Sequence, residues 1–181
     1  MPLRLALLLL VTGLAAGCVS SGHESPLQTG KGRDEARVAY VQLGLGYLQQ
    51  GMSEQAKVPL KKALELDNND ADANAALALV FQAQAEPELA DQYFRKALAS
   101  RPADPRLLNN YGSFLFEQKR YDQASRYFQQ ASADTLYPER SRVFENLGVT
   151  SMRLGQRDSA RQQLEKALHL NSRQPRALLE M

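Results

Sequence analysis

The sequence repeats itself every 34 residues, and that period restricts the fold more than any other property of the chain. Ala63, Ala97 and Ala131 keep the step, as do Ala56, Ala90 and Ala124. Leu60, Phe94 and Phe128 carry large apolar side chains at the same interval, and Gly44 and Gly112 stand two periods apart. Self-similarity at such a period marks an array of one supersecondary unit, because a single unit cannot bury its own apolar faces and neighbours must stack. Alanine and leucine dominate the apolar content, which favours helix over strand. The expected fold class is all-α.

Small and large apolar residues at fixed places in a 34-residue unit resemble the tetratricopeptide repeat. The first unit has Tyr40, Leu43, Gly44, Tyr47, Ala56, Leu60 and Ala63; the second has Asn74, Leu77, Ala78, Phe81, Ala90, Phe94, Ala97 and Pro102. Leu108, Tyr111, Gly112, Leu115, Ala124, Phe128 and Ala131 make a third, and Phe144, Leu147, Gly148, Ala160, Leu164 and Ala167 a fourth. The resemblance implies a solenoid of antiparallel helix pairs wound into a right-handed superhelix. Gly or Ala at places 8 and 20 lets the two axes of a pair approach, and places 4, 7, 11 and 24 fill the space beside them. Four units are expected, at about 37–70, 71–104, 105–140 and 141–174, within a domain spanning 35–174. Residues 175–181 read as the start of a truncated fifth repeat, with Leu168, Leu178 and Leu179 on an exposed last face.

Two irregularities interrupt the period. Pro59 falls past the first turn of a second helix, where proline removes a hydrogen bond, and a local kink is expected. Gly112 to Gly148 is 36 residues, so the connection around Thr135–Arg140 carries two extra residues.

The segment before the repeats has another composition. Arg4, an apolar run over Leu5–Leu14 and the small Ala15-Ala16-Gly17 read as a secretory signal, since about ten apolar residues are too few to span a bilayer core of about 30 Å. Residues 1–17 are therefore expected to be cleaved. Leu14-Ala15-Ala16-Gly17-Cys18 resembles a bacterial lipobox, which implies diacylglycerol on the Cys18 thiol and an N-acyl chain on its amine. With Val19 rather than aspartate next, the expected destination is the periplasmic face of the outer membrane. Residues 18–34 read as a lipidated flexible tether, reaching about 20–25 Å from the random-coil relation.

Composition excludes other classes. There are 22 Lys and Arg against 20 Asp and Glu, so no basic excess exists to track a phosphate backbone. One cysteine and two histidines, His23 and His169, supply neither a disulfide nor a recognisable zinc site. Asp67-Asn68-Asn69-Asp70 lacks the glycine and closing glutamate of a calcium loop and reads as the turn ending the first repeat. No phosphate-binding glycine loop or nucleophile elbow is present. The expectation is a non-enzymatic binding protein with no cofactor, no metal and no small-molecule substrate.

Repeats of this kind bind peptides or helices on the concave side formed by first helices. On that geometry Val41, Leu45, Leu48, Leu79, Gln82, Asn109, Phe116, Arg142, Glu145 and Met152 become the candidate partner-binding groove. Its front half is apolar and its rear half more polar. Val41 and Leu45 take the first-repeat places of the Lys and Asn carboxylate clamp seen in chaperone-tail binders, so an apolar helix or extended segment is the better ligand.

A narrower resemblance rests on longer stretches. Lys31–Arg37, Tyr40–Gly51, Glu54–Glu65, Leu108–Ala124 and Thr135–Gly148 are similar to the type IV pilus biogenesis and stability lipoproteins, the PilF/PilW family. That resemblance implies an outer-membrane lipoprotein acting as a pilotin, which helps the pilus secretin to localise and multimerise and so supports pilus biogenesis and twitching motility. It also implies six repeats, of which this sequence holds four and the start of a fifth. The alternative is a periplasmic scaffold docking cell-wall synthases or hydrolases at the outer membrane.

Overall fold

The computed structural model describes residues 29–173; the leader, Cys18, most of the tether and everything from residue 174 onward lie outside the described residues. The chain divides into two compact units, Met1–Ala36 and Arg37–Met181. Of the first, the described part is Thr29 and the opening turns of a helix, with Lys31 and Glu35 paired one turn apart at 3.8 Å. The second holds the repeats.

The described residues form eight helices and no strand: α1 (Gly30–Gln49), α2 (Ser53–Leu66), α3 (Ala71–Ala83), α4 (Pro87–Ser100), α5 (Pro105–Glu117), α6 (Tyr121–Ser132), α7 (Arg140–Arg153) and α8 (Arg157–Leu170). They pair as α1/α2, α3/α4, α5/α6 and α7/α8, an all-α solenoid of four helix hairpins. Helix α1 starts inside the segment read above as tether, so residues 30–34 are helical.

Each hairpin closes on a small residue of its first helix. A Cβ added to Gly44 would lie 2.5 Å from Leu60 Cγ, one at Gly112 2.7 Å from Phe128 Cε1, and one at Gly148 2.6 Å from Leu164 Cγ. No real contact is that short, so these glycines set how near the helices approach. In the second unit the same place holds Ala78 and the facing place Phe94, both fully buried. The small places of the second helices, Ala56, Ala90, Ala124 and Ala160, are buried as well.

The turn inside each hairpin is built identically. The Gly51 N–H donates to Leu48 O at 3.0 Å and the Met52 N–H to Tyr47 O at 2.9 Å, the paired bonds of a Schellman ending. The same pairs recur around Ala85, Lys119 and Gly155. All four central residues are left-handed, with φ of 74°, 57°, 58° and 74° in chain order. Glycine adopts this region freely, whereas Ala85 and Lys119 hold it against their own Cβ atoms.

Connections between hairpins are four residues long at 67–70 and 101–104 and seven at 133–139. The first two end on aspartate caps. Asp70 accepts from the Ala73 N–H at 2.6 Å, and Asp104 from the Arg106 and Leu107 N–H groups at 2.9 and 3.1 Å. Glu139, at the corresponding place before α7, makes no side-chain cap bond. Arg140 holds that entry instead: its Nε donates to Ser132 O at 2.8 Å and its guanidinium lies over the Phe144 ring. The longer connection half-buries Tyr137 against the core and leaves Leu136 89% exposed.

Helix α2 continues through Pro59, which is buried, from Ser53 to Leu66. Ala56, Leu60 and Ala63 of the same helix are buried with it. Leu168, expected on an exposed last face, is half-buried against the main core; Leu178 and Leu179 lie outside the described residues.

Gly112→Val overpacks α5 against Phe128 and is expected to cost about 1–3 kcal/mol, read as a lower urea midpoint. Lys119→Gly relieves a left-handed non-glycine residue and should raise stability by about 1 kcal/mol, while Gly51→Ala lowers it by a similar amount. Denaturant titration of the three variants checks both signs.

Candidate functional site

Helix α5 packs on α7 as well as on its hairpin partner and is hydrogen-bonded to α3, so these first helices approach one another and line the inner side of the array. The ten candidate residues differ in how much of that side they form. Val41, Asn109 and Glu145 are buried, Leu45, Leu48, Leu79, Gln82 and Phe116 are half-buried, and Arg142 and Met152 are exposed. Val41 and Leu45 border a pocket of about 240 Å³ whose polar wall is Arg37, Asp70, Asp72 and Arg106. Phe116 lines a second pocket, about 280 Å³, with Ser113, Glu117, Phe128, Asn146 and Val149. Arg142 is turned to Glu139 at 2.7 Å, an exposed pair on its own helix turn.

Polar side chains link first helix to first helix along the same side. Gln82 Nε2 donates to Glu117 Oε2 at 2.6 Å, joining α3 to α5. Asn146 Nδ2 donates to Asn109 Oδ1 at 3.1 Å, joining α7 to α5. Glu117 and Asn146 were absent from the sequence-derived set. Their signal was positional: Asn146 sits one residue beyond Glu145, and Glu117 one beyond Phe116, so a slightly wider face of each first helix would have taken them in.

The front wall is held by paired charges. Arg37 pairs with Asp70, and Asp72 bonds both Arg106 and Arg101, the latter at 2.7 Å. Burial works against the Asp72 charge, yet the hydrogen bonds from Arg101 and Arg106 outweigh it and hold the carboxyl below its usual range.

Beneath the groove, Asp91 of α4 ties the second unit to the third. It accepts from the Tyr111 hydroxyl at 2.8 Å, from Arg120 at 2.7 Å and from Arg95 at 2.6 Å. Burial opposes its charge, but those three bonds prevail and its carboxyl sits below the usual range. Burial, and then the bond to Asp91, push the Tyr111 hydroxyl up to about 12. Tyr111 also stacks on Phe94 at 5.4 Å and meets Tyr127 edge-on at 4.6 Å.

The tetratricopeptide-repeat pattern matches residues 38–70, 71–104 and 104–172 of this chain. The type IV pilus assembly protein PilF of Pseudomonas aeruginosa is 59% identical over all 181 residues, which cover 72% of that relative. The chain belongs to the PilF family of type IV pilus biogenesis repeat proteins. A solved structure of Pseudomonas aeruginosa PilF superposes with a TM-score of 0.82 at 62% identity, over 83% of this chain and 68% of that one. The crystal structure of PilW, described as a widely conserved type IV pilus biogenesis factor, gives 0.75 at 28% identity, over 79% and 66%. Repeat architecture and family together make this a protein whose partners in pilus biogenesis are other proteins.

A raised tyrosine pKa means the fold favours the neutral hydroxyl, so that contribution is complete below pH 10 and is lost as pH rises through about 12. Tyr111→Phe should therefore flatten the fall in thermal stability over that window. Melting curves of parent and variant between those pH values measure it.

Proposed function

We propose that this chain is a pilotin: a lipoprotein anchored at the periplasmic face of the outer membrane that holds a segment of the type IV pilus secretin and promotes its localisation and multimerisation. The observation that carries the reading is the 59% identity to a type IV pilus assembly protein over the full chain. Lipid on Cys18 supplies the membrane address, and no helix among the described residues is long and apolar enough to cross a membrane. The segment between Cys18 and the repeats supplies reach, and the inner side of the array supplies the binding surface. Affinity then comes from apolar side chains seated in pockets such as those at Leu45 and Phe116, with surrounding polar groups excluding water.

The division of labour predicts two separable defects. Deleting the gene should leave secretin subunits outside the outer membrane, without heat-resistant multimers on immunoblots of fractionated cells. Restoring it as Cys18→Ser should return a folded, secretin-binding protein that fails to direct the secretin outward. Normal outer-membrane multimers in the deletion strain would refute the reading, and co-purification with cell-wall synthases or hydrolases instead of a secretin would move it to a scaffold role.

A further inference from the structure

We infer that the pocket between α5, α6 and α7 is a subsite for a partner segment in which an apolar side chain stands beside an arginine or lysine: the apolar group enters the pocket and the cation pairs with Glu117. The inference deepens the reading of the inner side as a partner surface and rests on it.

The pocket supports the first half. Phe116, Phe128 and Val149 give it an apolar floor, with Ser113 and Asn146 at its edge. At about 280 Å³ it lies at the small end of ligand pockets, which run from about 300 to 1,000 Å³, and so suits a single large side chain better than a cofactor.

Glu117 supports the second half. It is the last residue of α5, so its carboxylate stands at the negative end of the helix dipole, and that last turn carries no basic residue. At the matching place the fourth unit has Arg153, the sign the dipole prefers. No basic side chain pairs with Glu117 among the described residues; Arg120, close by in sequence, is committed to Asp91 and Gln123. Its hydrogen bond comes from a neutral amide, Gln82 Nε2, while Gln82 Oε1 is buried with no hydrogen-bond partner. Acceptors therefore outnumber donors here, beside an apolar pocket. The Glu117 carboxylate is exposed, so only solvent screens this unfavourable charge at the helix end, and a ligand can reach it and complete the arrangement. A guanidinium or ammonium group would supply both the donors and the opposite charge.

The test uses a display library of randomised short peptides, selected on the purified mature protein and in parallel on Glu117→Lys and Phe116→Ala. The parent should enrich peptides with a basic residue next to a Leu, Ile, Met or Phe. Glu117→Lys should enrich acidic residues at that place, and Phe116→Ala should lose the apolar preference. In fluorescence anisotropy the best parent-selected peptide should bind Glu117→Lys about tenfold more weakly. Glu117→Lys should also melt at a higher temperature than the parent, since it corrects the charge at the end of α5. Identical selections on parent and Glu117→Lys, enrichment of acidic peptides on the parent, or no enrichment at all would each overturn the inference. None of these outcomes depends on secretin localisation in cells, so the subsite and the pilotin reading can fail separately.

Discussion

The contact between a small residue on each first helix and a large one on its partner governs the rest of this molecule. Gly44 against Leu60, Gly112 against Phe128 and Gly148 against Leu164 leave no room for a Cβ. Wherever the second helix presents its Leu or Phe, the first must retreat to Gly or, at Ala78, to alanine. The resulting distance fixes the width of every hairpin and hence the spacing of successive first helices. An inner side on which α3, α5 and α7 adjoin follows from it, because those helices are then close enough to share hydrogen bonds such as Gln82 to Glu117 and Asn146 to Asn109.

Stacking of hairpin on hairpin depends on different groups. A continuous core runs from Ala56 to Ala167 through Phe94, Tyr111, Phe114 and Phe128. Aromatic contacts give it direction, with Phe94 stacked on Tyr111 and tilted against Phe114, both at 5.4 Å. Asp91 adds a polar tie across the same junction by collecting Tyr111, Arg95 and Arg120 on one carboxylate. Buried aromatics supply most of the free energy in such a junction, about 25 cal/mol per Å² of apolar surface. The hydrogen-bonded carboxylate makes one rotation between units better than its neighbours. Phe116 and Phe128 therefore meet the pocket they line as consequences of packing decided beneath them.

The periodic residues were legible in the sequence because burial recurs from unit to unit, four times over at Ala56, Ala90, Ala124 and Ala160 and at Leu60, Phe94, Phe128 and Leu164. The first unit departs at Leu43, which is 49% exposed where Leu77, Tyr111 and Leu147 are buried. Residues lining the groove were harder. Val41, Asn109 and Glu145 are on the inner face yet buried between neighbouring helices, whereas Glu117 and Asn146 reach the pocket from one residue further along. One residue is a rotation of about 100° on a helix, so a face assigned from spacing alone includes packed residues and misses edge ones. Pro59 shows a related limit: the sequence marks where α2 loses a donor and leads one to expect a kink, while only the structure shows that the helix runs on from Ser53 to Leu66 with Pro59 buried.

By itself the sequence determined the helical unit, its number of places and the four hairpins, since each is a local pattern of size and polarity. Tertiary structure alone decided which inner side chains remain open, that Asp91 binds Tyr111, and that Glu117 ends α5 beside an apolar pocket with no basic side chain paired to it among the described residues. These depend on the rotation and separation of helices about 34 residues apart in the chain. No local pattern encodes that rotation; it emerges only when the small and large places of neighbouring hairpins are packed together.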